Sequence, residues 1–402
     1  MPMFHFKAMT AQGAVKEGSE SAASYSELLA RLRQRHYFPL DITEVVTGKD
    51  LGTLPIFGGR VGVKRLAVFC RQFAVMLGAG VTIVGCLDIL RQQTQHKRLR
   101  DAAAELYEDV QKGLMLSESL RKRGDIFPNL MIQMVEAGET SGSLDLVMSR
   151  VAVHYEKENK INARVKSAMV YPSVLAVVCV CVVIFLLTSV MPTFVGMFQG
   201  SDIALPGPTM ALLAISEALR TRWYLFALFV GLAVYIFRRY AGTDGGRMAL
   251  DRLKLRLPVV KGLVQKTASA RFARTMSTML ASGIPLLKAM EDTAGAVGNA
   301  AVAKGILDAR ESVRKGAPLS APIRKLGFFP PMVPSMIEIG EESGTLEEVL
   351  DKTAGIYDEE VDIEVSRMLS LMEPLMIVVM ALIVGFIVIA MMLPMFGMLQ
   401  TV

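Results

Sequence analysis

The sequence predicts an all-α polytopic membrane protein with two duplicated cytoplasmic six-helix bundles and three transmembrane helices. Composition gives the first indication, because 52% of the 402 residues are hydrophobic and only 20% are charged, a balance typical of membrane proteins. Three long apolar stretches give the second. The third is a helical pattern that occurs twice at a nearly constant offset, which indicates an internal duplication.

The duplication is clearest in two phrases, VEAGETSGSLD at residues 135–145 and IEIGEESGTLE at residues 337–347. Earlier in each copy, FCRQFAVMLGAGVTI at 69–83 resembles FARTMSTMLASGIPL at 272–286. Further pairs match at nearly the same spacing: Phe127 with Phe329, Tyr155 with Tyr357, and Pro172 with Pro374. We therefore expect each copy to be a soluble domain that leads directly into a span.

The helices of each copy are predicted from the spacing of apolar residues. In the first helix of copy one, these residues recur at three- and four-residue steps, which is typical of an amphipathic helix: Leu66, Phe69, Cys70, Phe73 and Leu77. Gly80 then breaks the helix, and Gly283 takes the same place in copy two. Five further helices are predicted, and such a bundle needs no sheet.

Two spans are predicted by stretches without a charged residue, 167–201 and 374–402. Both exceed the roughly 20 residues that a helix needs to cross about 30 Å of hydrocarbon. A third stretch, WYLFALFVGLAVYIF at 223–237, is short enough to be a buried core helix instead. Its Trp and Tyr residues suit both membrane interfaces, which favours a third span.

Orientation follows from Lys and Arg residues, which cluster before the first span and after the second. This bias predicts a cytoplasmic N-terminus and an external C-terminus, although Arg220 and Arg222 then lie on the wrong side of the membrane. The predicted segments are a short N-terminal module and linker (1–63), repeat 1 bundle (64–166), transmembrane helix 1 (167–198), external loop (199–220), transmembrane helix 2 (221–239), repeat 2 bundle (240–371), transmembrane helix 3 (372–396) and external C-terminal tail (397–402).

The repeated phrase is predicted to form a corner between the fifth and sixth helices of each bundle. Gly138 and Gly340 are expected to take the left-handed position that ends the fifth helix. Ser143 and Thr345 are expected to cap the sixth helix, and Thr345 with Glu348 to form a capping box. Local structure alone therefore explains why the phrase occurs in both copies.

Four acidic residues lie at these corners: Glu136, Glu139, Glu338 and Glu341. Capping with salt bridges is favoured over contact with a basic partner, and both are favoured over binding of a divalent cation. An Arg on an apolar helix face usually pairs with an acid. Arg71 and Arg274 are accordingly expected to pair with the first corner acid of their own copy.

Two further patterns leave alternatives open. The run DEEVDIEV at 358–365 is interpreted mainly as a solvated helix face. It is alternatively a segment that holds the helix off the membrane or meets a basic surface of a partner. Prolines flank the spans in both copies, either as punctuation or as kinks that shape a groove for a helix of a partner: Pro172, Pro192, Pro374 and Pro394.

Together these motifs resemble the type II secretion F and type IV pilus C family of inner-membrane platform proteins. FxRQ followed by LxAG, then G-E-x-S-G-x-L, a Tyr and an apolar span, occurring twice, carries the resemblance over residues 3–400. The second copy departs at Arg274-Thr275, where the first has Arg71-Gln72. The resemblance implies a bacterial inner-membrane platform that couples a cytoplasmic ATPase to extraction and polymerisation of pilin or pseudopilin subunits.

The chain is predicted not to be an enzyme and to bind no cofactor or metal, because it has neither a G-x-x-x-x-G-K-[ST] loop nor an H-E-x-x-H motif. The alternative function is a transporter or channel with duplicated cytoplasmic domains. No nucleic-acid partner is predicted. The expected partners are a cytoplasmic hexameric assembly ATPase, pilin or pseudopilin subunits, other inner-membrane alignment proteins, membrane lipids and further copies of the chain. The residues expected to serve structure or a partner are Arg71, Gly80, Glu136, Gly138, Glu139, Gly142, Tyr155, Pro172, Arg274, Gly283, Glu338, Gly340, Glu341, Gly344, Tyr357 and Pro374.

Overall fold

The structure is a computed structural model that describes residues 3–10, 15–21, 34, 37–45, 61–196 and 206–399. It divides into two compact units, Met1–Arg60 and Val61–Val402. Three predicted parts lie partly outside the described residues: the N-terminal module and linker (46–60), the end of transmembrane helix 1 with the start of the external loop (197–205), and the C-terminal tail (400–402).

The first unit contains a three-stranded antiparallel sheet in the order β2-β1-β3, which the sequence analysis did not predict. Its strands are β1 (Met3–Thr10), β2 (Val15–Ser21) and β3 (Tyr37–Val45). The register of β1 on β3 shifts between Lys7 and Ala8, where Ala8 lies opposite Pro39. Proline has no N–H to donate to the ladder, and a register irregularity accommodates it there.

Repeat 1 forms the predicted helical bundle. Its helices are α1 (Val63–Gly78), α2 (Ile83–Gln93), α3 (Lys97–Gln111), α4 (Leu116–Lys122), α5 (Asn129–Ser141) and α6 (Leu144–Ala168). The apolar face of α1 packs inward, as its periodicity predicted. Phe69 and Phe73 meet edge to face, and Phe69 also contacts Phe127.

Repeat 2 has the same order of elements, and the two bundles share one continuous hydrophobic core. Its helices are α12 (Pro258–Ala281), α13 (Leu286–Ala296), α14 (Ala300–Arg314), α15 (Ser320–Lys325), α16 (Met332–Ser343) and α17 (Leu346–Leu399). Phe272 and Phe329 repeat the aromatic contact of copy one, with ring centroids 5.0 Å apart. The predicted pair of duplicated six-helix bundles is therefore confirmed.

Three helices among the described residues are long and apolar enough to cross a membrane, which confirms the predicted spans. The first continues from α6 through α7 (Val170–Phe185), a π-helical segment (Leu186–Val190) and α8 (Met191–Gly196). The second is α10 (Trp223–Ala241), which α11 (Asp244–Arg256) follows. The third is the C-terminal part of α17.

The predicted external loop contains a helix, α9 (Gly207–Thr221), which the sequence analysis missed. Its buried residues Thr209, Leu212 and Ser216 fall at three- and four-residue steps and face the spans. The Thr209 hydroxyl donates to the Ala390 carbonyl at 2.6 Å, and the Ser216 hydroxyl donates to the Leu187 carbonyl. These bonds attach α9 to the first and third spans.

At each corner, a left-handed glycine separates the last two helices of the bundle. It is Gly142 (φ 69°) in repeat 1 and Gly344 (φ 70°) in repeat 2. The predicted positions, Gly138 and Gly340, are wrong by about one helical turn. In repeat 1 the Ser143 N–H donates to the Gly138 carbonyl at 2.9 Å, the bond expected when the left-handed residue is four positions later.

Gly138 and Gly340 serve a different purpose, because they lie where the two helices cross. A Cβ added at Gly138 would be 3.0 Å from the Cβ of Val147, and one at Gly340 would be 2.9 Å from the Cα of Leu346. Both distances are well short of an ordinary van der Waals contact. Glycine is therefore required here for close approach of two backbones.

The predicted caps are also wrong. Ser143 is the N-cap residue of α6, but its side chain makes no capping bond, and its backbone (φ −113°, ψ 41°) is not the extended form that such a bond needs. Its hydroxyl lies 2.7 Å from the hydroxyl of Ser141 instead. Thr345 likewise contacts Ser343, while Glu348 bonds Lys352 rather than closing a capping box.

Substituting the crossing glycine tests this packing. Gly340→Ala is expected to destabilise the protein by about 1–3 kcal/mol, since the added methyl overpacks the crossing. In the control Gly78→Ala no atom lies within 4 Å of the new Cβ, and it should be neutral or stabilising by up to about 1 kcal/mol. Thermal unfolding of the detergent-solubilised protein measures both. A Gly340→Ala protein at least as stable as wild type contradicts the close crossing.

Candidate functional site: the repeated corners and the groove between the spans

The second acid of each corner binds the N-terminus of a short helix. Glu139 accepts the backbone N–H groups of Leu116 and Ser117, at 2.6 and 3.0 Å, where α4 begins. Glu341 accepts the corresponding N–H groups where α15 begins. These donors have no partner within their own helix, and the helix dipole favours a negative charge there. Each acid thus fixes the fourth helix of its bundle to the fifth.

The first acid of each corner forms an exposed ion pair. Glu136 contacts Arg121 and Glu338 contacts Arg324, both at 2.6 Å, and about half of each side chain is exposed. Such pairs contribute little to stability. Among the described residues, no group of three or more His, Cys, Asp or Glu side chains is placed to hold a metal ion.

The predicted partners of Arg71 and Arg274 are wrong. Arg71 pairs with Glu156 and Arg274 with Asp358, and these acids directly follow the matched tyrosines of the sixth helices. The corner acids lie on the fifth helix, so the arginines instead join the first helix of each bundle to the sixth. The hydrogen bond from Arg71 lowers the pKa of the Glu156 carboxyl.

The two pairs differ in burial. The side chains of Arg71 and Glu156 are 42% and 41% exposed, whereas those of Arg274 and Asp358 are only 8% and 22% exposed. Nη1 of Arg274 is buried and has no hydrogen-bond partner. The second copy therefore holds its arginine at a larger desolvation cost.

The matched tyrosines, Tyr155 and Tyr357, are core residues. They are 5% and 3% exposed. Burial raises the pKa of both phenols, that of Tyr357 to about 12. Both stay neutral at physiological pH.

The remaining predicted residues mark the ends and interruptions of helices. Gly80 (φ 83°) and Gly283 (φ 76°) adopt left-handed conformations just after the first helix of each bundle. Pro172 lies in the first turn of α7, where a missing N–H costs nothing. Pro374 lies inside α17, which continues through it. The matched prolines thus have different surroundings in the two copies.

The acidic run in α17 is not a free solvated face. Glu360 and Glu364 both contact Lys266, at 2.7 and 2.9 Å. Asp362 pairs with Arg164 of repeat 1, and Asp358 with Arg274. Four of the five acids are therefore used in internal ion pairs, and Glu359 is the one that stays exposed without a pair within the described residues.

An apolar groove of about 820 Å³ lies between the spans and α9. It is lined by Ala176, Cys179, Val180, Val183, Ile184, Leu187, Ile215, Ala218, Leu219, Arg222, Leu225, Phe226, Met376, Val379, Met380 and Ile383. Arg222 is the only charged residue in this lining. Of the flanking prolines whose side chains the structure describes, Pro172, Pro192 and Pro374 do not line the groove.

Arg222 is the groove residue that the sequence alone marks as a candidate functional residue. It interrupts the helix between α9 and α10, with φ −122° and ψ 31°. In the orientation that the sequence predicts, Arg222 lies on the side of the membrane that the charge rule disfavours, which indicates a role other than setting orientation. No sequence signal identifies the apolar lining, because its residues resemble those that face lipid.

Comparison with known proteins also finds the chain duplicated. The profile of the family "Type II secretion system (T2SS), protein F" matches residues 69–192 and 272–394, and that of the family's N-terminal domain matches residues 1–43. The chain is 40% identical to the type IV pilus assembly protein PilC of Thermus thermophilus over 405 residues, which covers 100% of this chain and 99% of the relative. It is 33% identical to the type II secretion system protein F of Vibrio cholerae, covering 98% of each.

The unequal burial of the two arginine pairs generates a prediction. Arg274→Ala is expected to lower the free energy of unfolding by about 3 kcal/mol, because it leaves a largely buried carboxylate unpaired. The matched change Arg71→Ala should lower it by about 1 kcal/mol or less, since that pair is half exposed. Chemical denaturation of each variant in detergent compares them. Equal losses would show that burial does not distinguish the copies.

The corner acids provide a second matched comparison. Glu341→Gln weakens two hydrogen bonds to a helix N-terminus and is expected to cost about 1–2 kcal/mol. Glu338→Gln removes only an exposed ion pair and should cost less than about 1 kcal/mol. Hydrogen exchange of the amides of residues 319–325 reports the effect locally. Unchanged protection in Glu341→Gln would contradict the capping role.

Proposed function

Because this chain belongs to the type II secretion system protein F family, we propose that it binds one apolar helix of a pilin or pseudopilin in the groove while its cytoplasmic bundles engage a hexameric assembly ATPase. Its role as the platform of a pilus or secretion machine agrees with the names of its relatives. The coupling between ATPase and pilin, the partners and the orientation in the inner membrane are parts of the proposal. The chain itself catalyses no reaction in this scheme.

The observation that carries the proposal is the groove between the spans. A volume of about 820 Å³ accommodates about seven residues of an α-helix of ~10 Å diameter, since each residue occupies roughly 120 Å³. Two helical turns are enough to hold a subunit in register. Two turns bury too little of the subunit to retain it permanently. This suits a subunit in transit, which must leave the groove again.

Arg222 gives the groove chemical selectivity. A lone cation in an otherwise apolar, membrane-facing groove is costly unless an anionic group approaches it. An acidic side chain on the incoming helix forms an ion pair with Arg222. The same pair lowers the free-energy cost of placing that acid in the membrane. The groove therefore selects an apolar helix that carries one carboxylate.

The third span offers a mechanical route from the cytoplasm to the groove. Helix α17 runs unbroken for 54 residues, a length of about 80 Å. It begins at the second corner, and Met376, Val379, Met380 and Ile383 along it form one wall of the groove. A displacement of the repeat 2 corner by an ATPase is thus transmitted directly to the bound helix.

The transporter alternative has less support. A transport path requires polar or ionisable groups along the membrane interior. The groove lining, within the described residues, offers one arginine among apolar side chains. No specific observation favours transport over helix binding.

Photo-cross-linking in native membranes tests the groove. A photoreactive amino acid at Met380, which lines the groove, is expected to capture a pilin or pseudopilin. The control at Val378 lies on a different face of the same helix and is 55% exposed; it should capture lipid or no protein. Val183→Trp, which fills the groove, should abolish the Met380 cross-link and piliation or secretion, whereas Val178→Trp on the lipid-facing side should not.

The outcome is read together with affinity purification of the ATPase. Retention of the ATPase by Val183→Trp, with loss of the pilin cross-link, supports separate binding sites coupled through α17. Equal pilin capture at Met380 and Val378 would contradict the groove as the binding site. Absence of an ATPase from the intact wild-type complex would contradict the cytoplasmic part of the proposal.

A further inference from the structure

A cavity of about 420 Å³ lies at the level where the first span begins. It is formed by the end of α6, by α11 and α12, and by the residues that join α13 to α14. Met169, the last residue before α7, lines the cavity and is 45% exposed. The exposed apolar surface of the span starts with the next two residues, Val170 and Tyr171. The cavity therefore borders the edge of the apolar layer that the span crosses.

The lining of this cavity combines apolar side chains with cations. The apolar part consists of Ile161, Val165, Leu263, Val264, Ala268 and Val297. The cations are Lys166 of α6, Lys254 of α11 and Arg271 of α12, and Asp251 is the only acid among the described residues of the lining. One water molecule needs only roughly 10–15 Å³ of such space. The cavity therefore has room for a phosphate group, a glycerol and the first methylenes of acyl chains.

The cavity keeps a positive charge after its ion pairs are counted. Lys254 contacts Asp251 at 2.8 Å. Arg271 contacts Glu158, which lies outside the lining, at 2.6 Å. Lys166 is exposed, and it has no ion pair or side-chain hydrogen bond within the described part of the chain. Its charge is therefore available to an anionic group that enters the cavity.

Thr267 adds an unused hydrogen-bonding group to the same lining. The hydroxyls of Ser269 and Thr278, also on α12, donate to the carbonyl four residues earlier, at 2.8 and 2.7 Å, a common arrangement within helices. Oγ1 of Thr267 is buried and has no hydrogen-bond partner. Burial of an unpaired hydroxyl costs free energy, and rotation about χ1 turns this oxygen toward a ligand in the cavity.

We propose that this cavity binds the headgroup of one anionic phospholipid. The phosphate lies between Lys166 and Lys254 and accepts a hydrogen bond from Thr267, while the acyl chains pass Met169 and follow the first span. Inorganic phosphate shares the charge but makes no use of the apolar lining. A lipid is the occupant because cations and apolar side chains line one cavity at the membrane edge, the arrangement by which basic pockets beside membrane helices bind anionic headgroups.

The bound lipid joins parts of the chain that the cavity separates. Lys166 lies in the last turn of α6, just before the first span. Lys254 lies in the last turn of α11, the helix that follows the second span. A phosphate that contacts both lysines therefore holds the start of one span to the helix that leaves another. Since the unfolded chain has no such site, binding stabilises the folded protein.

Lipid binding to the full-length protein in nanodiscs tests the site. Phosphatidylglycerol, added to a phosphatidylcholine background, should raise the unfolding temperature of the wild type, and native mass spectrometry should detect one tightly bound copy. Lys166→Gln breaks no ion pair and should weaken this binding about fivefold, the effect of one lysine near an anionic headgroup. Lys166→Gln/Lys254→Gln should weaken it further. The matched control Arg252→Gln/Lys261→Gln removes the same charge at exposed positions outside the lining and should bind as the wild type does.

Thr267→Val separates binding from packing. It replaces an unpaired buried hydroxyl with a methyl group, so the variant in phosphatidylcholine alone should be at least as stable as the wild type. Its affinity for phosphatidylglycerol should nevertheless fall about tenfold, because a hydrogen bond to a charged group is lost. A purely structural role of Thr267 predicts unchanged affinity.

Three results overturn the proposal. Equal phosphatidylglycerol affinities of Lys166→Gln/Lys254→Gln and its control would assign the binding to the overall charge of the protein. Stabilisation of the same size by inorganic phosphate, without phosphatidylglycerol, would assign the cavity to a soluble anion. Unchanged affinity in Thr267→Val would contradict the position of the phosphate. None of these measurements requires pilin or ATPase, so the inference stands independently of the proposed function.

Discussion

Backbone contact between the last two helices of each bundle determines how the chain approaches the membrane. At Gly138 and Gly340 the helices cross so closely that a Cβ has no place. The left-handed turn at Gly142 or Gly344 then reverses the chain one helical turn later. Since the sixth helix continues directly toward a span, its direction is set by this crossing. The repeated phrase is therefore best understood as the joint between bundle and span.

Polar contacts convert this joint into a rigid corner. The hydrophobic effect holds the helices together but is non-directional. Glu139 and Glu341 fix the fourth helix to the fifth, while Arg71 and Arg274 fix the first helix to the sixth. Each bundle thus has one polar contact between its fourth and fifth helices and one between its first and sixth, and both contacts occur in both copies. Rigidity at this place is what a helix needs if it is to transmit displacement into the membrane.

The sequence was sufficient for features that depend on local pattern. The duplication, the helical bundles and the three spans follow from periodicity and from charge-free length. The sequence does not show whether Gly138 or Gly142 ends the fifth helix, because glycine suits a turn at either position. Only the packing of α6 against Gly138 distinguishes the two. The partner of Arg71 was missed for a similar reason: spacing shows which face an arginine occupies, but not which acid lies opposite. Helix α9 was missed because its short apolar face is buried only against the spans.

The two copies differ most within the membrane, and the difference explains the groove. In the first span, the chain is interrupted at Met169 and adopts a π-helical register at Leu186–Val190. A π-helical turn displaces the regular hydrogen-bond ladder, and the Leu187 carbonyl there accepts the hydroxyl of Ser216 from α9. The third span keeps its ladder in α17 and receives α9 through the bond from Thr209. Helix α9 is therefore held between the first span, which contains the π-helical segment, and the regular third span. The groove is the space beside the C-terminal half of α9, and Arg222 lines it.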